Sequence, residues 1–265
     1  MSVAAPAWAR QPQINVRPNY SGLGAGVQIM LLPFRGALLD VAAQVIWTPT
    51  NNAISNKVTP SGMAASFDGV DDYFSYTGYP WITGATGTFF MWAEAIRALD
   101  TNGSVWFGTN TGANAYFHSA SNIAYSFGTQ CTLTAIPSVA NTSKTSLVFS
   151  AATTAGSGRY FQNGVTQSAP AAGTPTAFAA GAKTFNFGRW NGGATWDVDA
   201  DIVLAGFTNR AWGEDEAKAF HENPWQMFAP EPRRVLFLGP AVAGGATVGR
   251  GLTDGILLAR RSLVA

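Results

Sequence analysis

The sequence predicts an all-β protein whose antiparallel strands form a two-sheet sandwich, with one short helix near the C-terminal end. Turn residues recur about every 8 to 12 residues and separate short runs rich in aromatic and β-branched residues, a spacing typical of sandwich strands. Within residues 183–189, Phe185 and Phe187 alternate with polar or small residues, so both rings point to one face. We expect these two side chains in the core, together with those of Phe67 and Phe207.

Runs with the composition of strands lie between turn signals through the central part of the chain. The dipeptide Asn163-Gly164 joins two of them and favours a type I′ hairpin turn, because both residues tolerate positive φ. The predicted strands are residues 64–67, 73–76, 87–95, 104–108, 122–127, 145–150, 158–162, 183–189 and 202–208.

Residues 213–223 have the pattern of the predicted helix. Acidic residues stand near its N-terminal end, where the helix dipole favours negative charge, and Asn223-Pro224 ends it. Ala217 and Phe220 are spaced to face the core.

Composition indicates a single large domain with little charge. The chain has 265 residues, within the range of one all-β sandwich, and 12% of them are charged, against about 25% in an average globular protein. The formal net charge is +1. We expect no nucleic-acid partner and no anionic membrane surface, since both need clustered Lys and Arg. Weak charge repulsion also suits a chain that works inside an assembly.

Cysteine usage and apolar segments exclude several further classes. Cys131 is the only cysteine, so no intrachain disulfide and no cysteine-rich zinc site can form. The first residues lack the apolar core of a secretory signal, and no apolar run approaches the roughly 20 residues of a membrane helix. We therefore expect a protein made in a host cytoplasm, without membrane insertion.

Composition also divides the chain into three regions. Residues 1–26 contain spaced prolines and alternate poorly, which predicts an extended N-terminal arm. Residues 27–238 carry the strand pattern and form the predicted domain. Residues 239–265 join a Gly and Ala linker to an apolar, Arg-flanked tail that we expect to dock on a partner. Its docking residues are Ile256, Leu257, Leu258, Arg260, Arg261 and Leu263.

The segment FDGVDDYFSY places Asp68, Asp71 and Asp72 inside a run otherwise suited to a strand. Asp68-Gly69 is a hairpin signal, and it predicts a tight turn whose carboxylates accept backbone N–H bonds. The alternative is a calcium site, because Ca²⁺ takes several oxygens from closely spaced Asp side chains and carbonyls.

A second acidic segment, WDVDAD, contains Asp197, Asp199 and Asp201 at alternate positions. In a strand all three would point to one face, about 6 to 7 Å apart at each step. Three like charges repel one another, so a solvated edge or a loop is the first interpretation and a calcium site is the second.

Several motifs, taken together, resemble one family. FDGVDDYF resembles the hallmark turn of laminin G-like, concanavalin A-like jelly rolls, RYFQNGV their central hairpin, and FNFGRW the strand that follows. DADIVLAGFTNRAWGEDEAKAF resembles their penultimate strand and short helix, and NPWQMFAPEPRR is similar to the closing segment of such domains in tailed bacteriophage and prophage proteins. The resemblance implies a concanavalin A-like jelly roll with a curved groove on one face, and either sugar binding or an architectural role.

The sequence contains no recognisable catalytic set. His118 and His221 are far apart and belong to no triad or metal spacing, and no nucleophile-elbow or phosphate-loop motif occurs. Related jelly-roll glycosidases have a Glu-rich motif, whereas Asp197, Asp199 and Asp201 have no Glu pair nearby. We expect no enzymatic activity, and no cofactor except the calcium considered above.

The tryptophans fall into two groups. Trp92 and Trp106 lie in apolar strand runs and are predicted in the core, and Trp225 is predicted to pack the closing segment against the sandwich. Others neighbour Gly, Pro and Asn in predicted loops, where an indole face can stack on a sugar ring or enter a partner interface. The candidate sugar-binding residues are Trp81, Trp190, Trp196 and Asn191.

Two functions are consistent with these observations. The first is a bacteriophage virion structural protein, a decoration or appendage of the head, collar or tail that binds other virion proteins and copies of itself. The alternative is a carbohydrate-binding module that recognises host surface glycans. We favour the structural role, located in the virion, because the tail has no evident use inside its own domain.

Overall fold

The structure is a computed structural model that describes residues 22–34, 36–50, 55–79, 86–99, 104–109, 113–119, 122–127, 129–133, 139–153, 157–167, 183–189 and 197–228. All of these belong to one compact unit, Met1–Glu231. Among them no helix is long and apolar enough to cross a membrane.

The described chain is built mainly of β-strands. Its one α-helix, α1, spans Glu214–Glu222, and short 3₁₀ turns span Gly22–Gly24 and Pro224–Met227. The strands are β1 (Val27–Phe34), β2 (Ala37–Asp40), β3 (Val45–Thr50), β4 (Ser55–Thr59), β5 (Gly62–Asp68), β6 (Tyr73–Tyr79), β7 (Gly87–Leu99), β8 (Ser104–Thr109), β9 (Ala113–Ser119), β10 (Asn122–Phe127), β11 (Thr129–Leu133), β12 (Thr142–Ala151), β13 (Arg159–Gln162), β14 (Val165–Thr166), β15 (Lys183–Phe187) and β16 (Val198–Thr208).

The strands form two antiparallel sheets. Sheet I has the order β2-β1-β16-β7-β12-β13-β14, with β5 beside the first part of β16 and β4 beside β5. Sheet II has the order β11-β10-β9-β8-β15-β6. Strand β3 belongs to both, because its first part pairs with β2 and its last three residues pair with β6. The predicted all-β jelly-roll sandwich with one short helix is confirmed.

The main core lies between the two sheets and is rich in aromatic rings. Phe67 from sheet I meets Phe74 and Phe187 from sheet II edge to face, with ring centroids 5.8 and 5.6 Å apart. Aromatic pairs of this geometry add to the stabilisation from buried area. Phe67, Phe185, Phe187 and Phe207 are each at most 1% exposed, so the predicted core residues are confirmed.

Sheet I is also buried on its other face. Alternate residues of β7 divide between the two faces: Phe89 and Met91 belong to the core between the sheets, whereas Phe90 and Trp92 pack in a second apolar cluster. Helix α1 and the Pro224–Met227 turn contribute to that second cluster. Burial on both faces explains why β7 reads as a continuous apolar run rather than as an alternating one.

The predicted helix and the predicted hairpin are confirmed. Ala217 and Phe220 are fully buried on the inner side of α1. Asn163 and Gly164 join β13 to β14 with φ of 54° and 76°, as a type I′ turn requires. The predicted core positions of Trp92 and Trp106 are also confirmed, at 6% and 2% exposed, and Trp225 packs the closing segment into the second apolar cluster, as predicted.

The turn at Asp68-Gly69 connects strands of different sheets rather than two strands that pair with each other. Strand β5 pairs in sheet I and β6 pairs in sheet II, so this turn carries the chain from one sheet to the other. Gly69 adopts a φ of 78° and lies against β16, where a Cβ on residue 69 would stand 2.8 Å from the Asp199 Cβ. A two-residue turn signal predicts the reversal but not the partner that the next strand finds.

Several predicted regions lie outside the described residues. They are residues 1–21 of the predicted arm, the linker and tail of residues 239–265, and the loop residues Trp81, Trp190, Asn191 and Trp196. The domain limits at residues 27 and 238 therefore stay predictions.

Candidate functional site

A cleft of about 300 Å³ opens on the outer face of sheet I, beside α1. Strands β7, β12 and β16, the β4–β5 turn, the end of α1 and the following 3₁₀ turn all contribute to it. Its volume is at the lower end of the range for small-ligand sites. The lining residues are Ser61, Trp92, Lys144, Val203, His221, Glu222, Pro224 and Trp225.

Two tryptophans form the apolar part of this cleft. Trp92 is on the outward-facing side of β7, and its Nε1 donates to the carbonyl of His221 at 3.5 Å. Trp225 is held at the start of the 3₁₀ turn because its backbone N–H donates to Asn223 Oδ1 and its ring packs on Phe228 with centroids 5.8 Å apart. Both indoles are buried in the wall of the cleft.

Polar groups also line the cleft. The side chains of Lys144 and Glu222 are exposed, and Ser61 is buried in the wall. The buried Nδ1 of His221 has no hydrogen-bond partner among the described residues. Burial lowers the pKa of His221, against a smaller opposing effect of the Glu222 charge, so the imidazole is neutral at pH 7. A neutral imidazole has a donor and an acceptor nitrogen to offer a ligand.

Apart from the cleft, the turn between β5 and β6 is a candidate site because it carries three carboxylates. Asp68 is exposed, Asp71 is half-buried and Asp72 is buried. The Asp68 N–H donates to Asp72 Oδ2 at 3.0 Å, and the Val70 N–H donates to Asp68 Oδ1 at 2.9 Å. The predicted turn, in which carboxylates accept backbone N–H bonds, is confirmed.

Asp72 has an unusual proton affinity for a carboxyl group. Burial raises the pKa of Asp72 to about 6, and the charges of Asp68 and Asp71 act in the same direction, while the N–H bond from Asp68 opposes them. Ionised Asp72 is therefore a destabilising charge in the folded protein at neutral pH unless a cation compensates it.

The carboxylates of the second acidic segment are neutralised by basic side chains. Arg97 pairs with both Asp199 and Asp201, and donates to the Phe67 carbonyl at 2.6 Å. Arg189 holds Asp197 through two bonds of 2.7 and 3.1 Å.

Asp201 has the most complete set of partners in this segment. Its carboxylate accepts from Lys57 Nζ and Ser66 Oγ, both at 2.7 Å, and from an Arg97 nitrogen at 2.9 Å. Despite burial, these partners hold the pKa of Asp201 below its usual value. Asp197 and Asp201 are 3% and 1% exposed, so the interpretation as a solvated edge is wrong for both. Ion pairs with Arg189, Arg97 and Lys57, rather than water, balance their charge.

Sequence reasoning missed most of the cleft. Ser61, Lys144 and Glu222 are ordinary polar residues in their local sequence, and they meet only because the strands and helix bring them together. The NPW motif after α1 did indicate a packed closing segment, and Trp225 lies at its centre. The predicted sugar-binding loop residues lie outside the described part of the chain, so their role stays a prediction.

Comparison with known proteins identifies a shared fold. No protein-family model matches the chain, and no curated protein sequence matches it. The receptor-binding domain of botulinum neurotoxin D superposes with a TM-score of 0.54 and 10% identity, over 77% of this chain and 54% of that one. The binding domain of paraclostridial mosquitocidal protein 1 gives 0.52 and 8%, over 76% and 52%.

A weaker likeness is to Trypanosoma rangeli sialidase, with a TM-score of 0.49 and 15% identity over 74% of this chain and 32% of the sialidase. The chain thus spans about half the length of the toxin domains and a third of the sialidase. At such identities the likeness to the two toxin domains shows a common architecture. The chain has the β-sandwich fold that is found in toxin receptor-binding domains.

Proposed function

We propose that this protein is a non-catalytic carbohydrate-binding domain that recognises surface glycans. The observation that carries the proposal is the cleft beside α1, which Trp92 and Trp225 line together with Lys144, His221 and Glu222. Sugars present apolar C–H faces and a rim of hydroxyl groups. A site that combines indole surface with hydrogen-bonding groups matches both parts of such a ligand.

The dimensions and charges of the cleft define the type of sugar. A volume of about 300 Å³ accommodates one sugar ring and part of a second, so an end residue or a branch of a glycan is the expected ligand. Lys144 and Glu222 supply opposite charges, which favours a sugar with many hydroxyl groups over a strongly anionic chain. The two toxin domains with the same fold are described as binding domains, which is consistent with a binding role.

A glycan array with the full chain tests this proposal, followed by calorimetric titration of the best ligand. We expect Lys144→Ala and Glu222→Ala to weaken binding about tenfold or more, because each removes a charged hydrogen-bonding group from the cleft. Both side chains are exposed, so the folded state is expected to persist. Glu214→Ala and Lys218→Ala are matched controls, since both are exposed on α1 and neither lines the cleft.

The outcome also distinguishes the cleft from the predicted loop site. If a glycan binds and only Trp81→Ala, Trp190→Ala or Trp196→Ala weakens it, the loops form the site and the cleft does not. A chain that binds no glycan on the array contradicts the proposed function itself.

A second function, that of a bacteriophage virion structural protein, is favoured by the sequence of the tail. Left in water, its apolar side chains would each forgo about 1.5 to 3 kcal/mol of burial, which favours docking on a neighbouring subunit. Arg260 and Arg261 would pair with acidic groups at the rim of that surface. We expect deletion of residues 246–265 to leave far-ultraviolet circular dichroism unchanged and to abolish self-association or incorporation into particles. Normal assembly of the truncated chain would contradict this role.

A further inference from the structure

The turn that crosses from sheet I to sheet II concentrates negative charge at one point. One carboxylate oxygen from each of Asp68, Asp71 and Asp72 lies within 4.8 Å of the other two. Two oxygens that bind one Ca²⁺ at about 2.4 Å can be at most about 4.8 Å apart, so these distances suit a shared ion.

A buried oxygen in this cluster lacks a partner. Asp72 is 1% exposed, and its Oδ2 accepts the Asp68 N–H, but its Oδ1 has no hydrogen-bond partner among the described residues. A buried carboxylate oxygen without a donor loses its hydration and gains nothing in exchange, which is costly in a folded protein. Such an oxygen indicates that a positively charged group binds where the three carboxylates meet.

The cations nearest to the turn are engaged elsewhere. Arg189 donates one bond to the Val70 carbonyl, and its charge acts on Asp71, but its guanidinium pairs with Asp197 through two nitrogens. Arg97 pairs with the β16 carboxylates. Within the described ranges, no Lys or Arg forms an ion pair with the three Asp residues of the turn.

We propose that this turn binds a calcium ion through Asp68, Asp71 and Asp72. Asp72 Oδ1 is the buried ligand, Asp71 contributes from the half-buried side, and Asp68 contributes Oδ2, since its Oδ1 already accepts the Val70 N–H. Water completes the six to eight oxygens that calcium requires, because Asp68 is exposed. An all-oxygen ligand set favours calcium over zinc or copper, which select imidazole and thiolate.

The ion would have a structural role. It would join the end of β5 in sheet I to the start of β6 in sheet II, at the point where Gly69 packs on β16 and Gly188 on Phe67. The site is independent of the cleft beside α1, so the calcium proposal and the glycan proposal succeed or fail separately.

Titration of the full chain with CaCl₂ after treatment with EDTA tests the proposal. We expect one ion per chain, and a midpoint of thermal unfolding about 5 °C higher at saturating calcium than in EDTA. Asp71→Asn should weaken calcium binding tenfold or more, and Asp72→Asn should abolish it. Asp215→Asn, an exposed acid on α1, is the matched control and should leave binding unchanged.

Asp71 is half-buried and accepts no backbone hydrogen bond from the residues that the structure describes, so its variant is expected to fold even if Asp72→Asn does not. The proposal is overturned if millimolar calcium neither binds nor shifts the unfolding midpoint of the unsubstituted chain. It is also overturned if Asp71→Asn and Asp215→Asn bind calcium equally well.

Discussion

Substitution of Asp201 by Asn is the sharpest test of how this sandwich is held together. The carboxylate is 1% exposed and is bonded to Lys57, Ser66 and Arg97. Removing one member of a buried ion pair costs about 3 to 5 kcal/mol, because the remaining charge is left without compensation. Here the partners Lys57 and Arg97 are 56% and 39% exposed, so water recovers part of that cost. We expect Asp201→Asn to lower the free energy of unfolding by about 2 to 3 kcal/mol.

Urea denaturation at pH 7 measures this change. With a slope of about 2 to 3 kcal/mol per molar urea, the midpoint should fall by about 1 M. Lys57→Met is the comparison variant: Asp201 keeps its bonds to Ser66 and Arg97, so loss of this half-exposed cation should cost less than loss of the Asp201 carboxylate itself.

The same measurement has a defined pH dependence. The folded protein holds the pKa of Asp201 below its ordinary value of 3.8, so the unfolded state takes up this proton first as the pH falls. The stabilisation is therefore present above pH 3.8 and is lost as the pH falls through the folded pKa. The difference between the unsubstituted chain and Asp201→Asn should shrink toward zero in that acidic range. A midpoint shift below about 0.2 M at pH 7, or a difference that does not depend on pH, would refute this reasoning.

Two further predictions concern the β5–β6 turn and the residue that packs against it. In the absence of calcium, the folded protein binds a proton at Asp72 more tightly than the unfolded chain does. The free energy of unfolding should therefore fall by up to about 3 kcal/mol as the pH rises from 3.8 through 6. Asp72→Asn should flatten this change in denaturation curves recorded from pH 4 to pH 8. Gly188→Ala should destabilise by about 2 kcal/mol or more, because residue 188 has a φ of 97° and a Cβ there would lie 2.5 Å from the Phe67 ring. Gly213→Ala, where a Cβ meets nothing within 4 Å, is its control, and equal thermal midpoints for the two variants would count against the packing argument.

The buried acids show where reasoning from sequence reaches its limit. Asp40 is fully buried, and its Oδ1 accepts the N–H groups of Met30, Ala42 and Ala43. Two of these donors are local, but Met30 belongs to the neighbouring strand, which only the register of β1 and β2 places there. A short polar residue at a strand end predicts a turn, and the cross-strand donor cannot be predicted in the same way.

The sequence by itself determined the elements that depend on near neighbours. Alternation identified Phe185 and Phe187 as core residues, and Asn163-Gly164 specified its hairpin, because side-chain period and backbone φ are local properties. The class of fold followed from the number and spacing of such segments. The tail and the loop tryptophans also rest on sequence alone.

Only the tertiary structure decided which distant residues meet. Asp201 is 144 positions from Lys57, and β5 and β6 are consecutive in the chain yet belong to different sheets. The cleft unites Ser61, Trp92 and Trp225 from separate elements. Strand order and register determine which of these residues meet. Strand order and register are themselves set by the summed burial of both faces of sheet I, rather than by any local pattern.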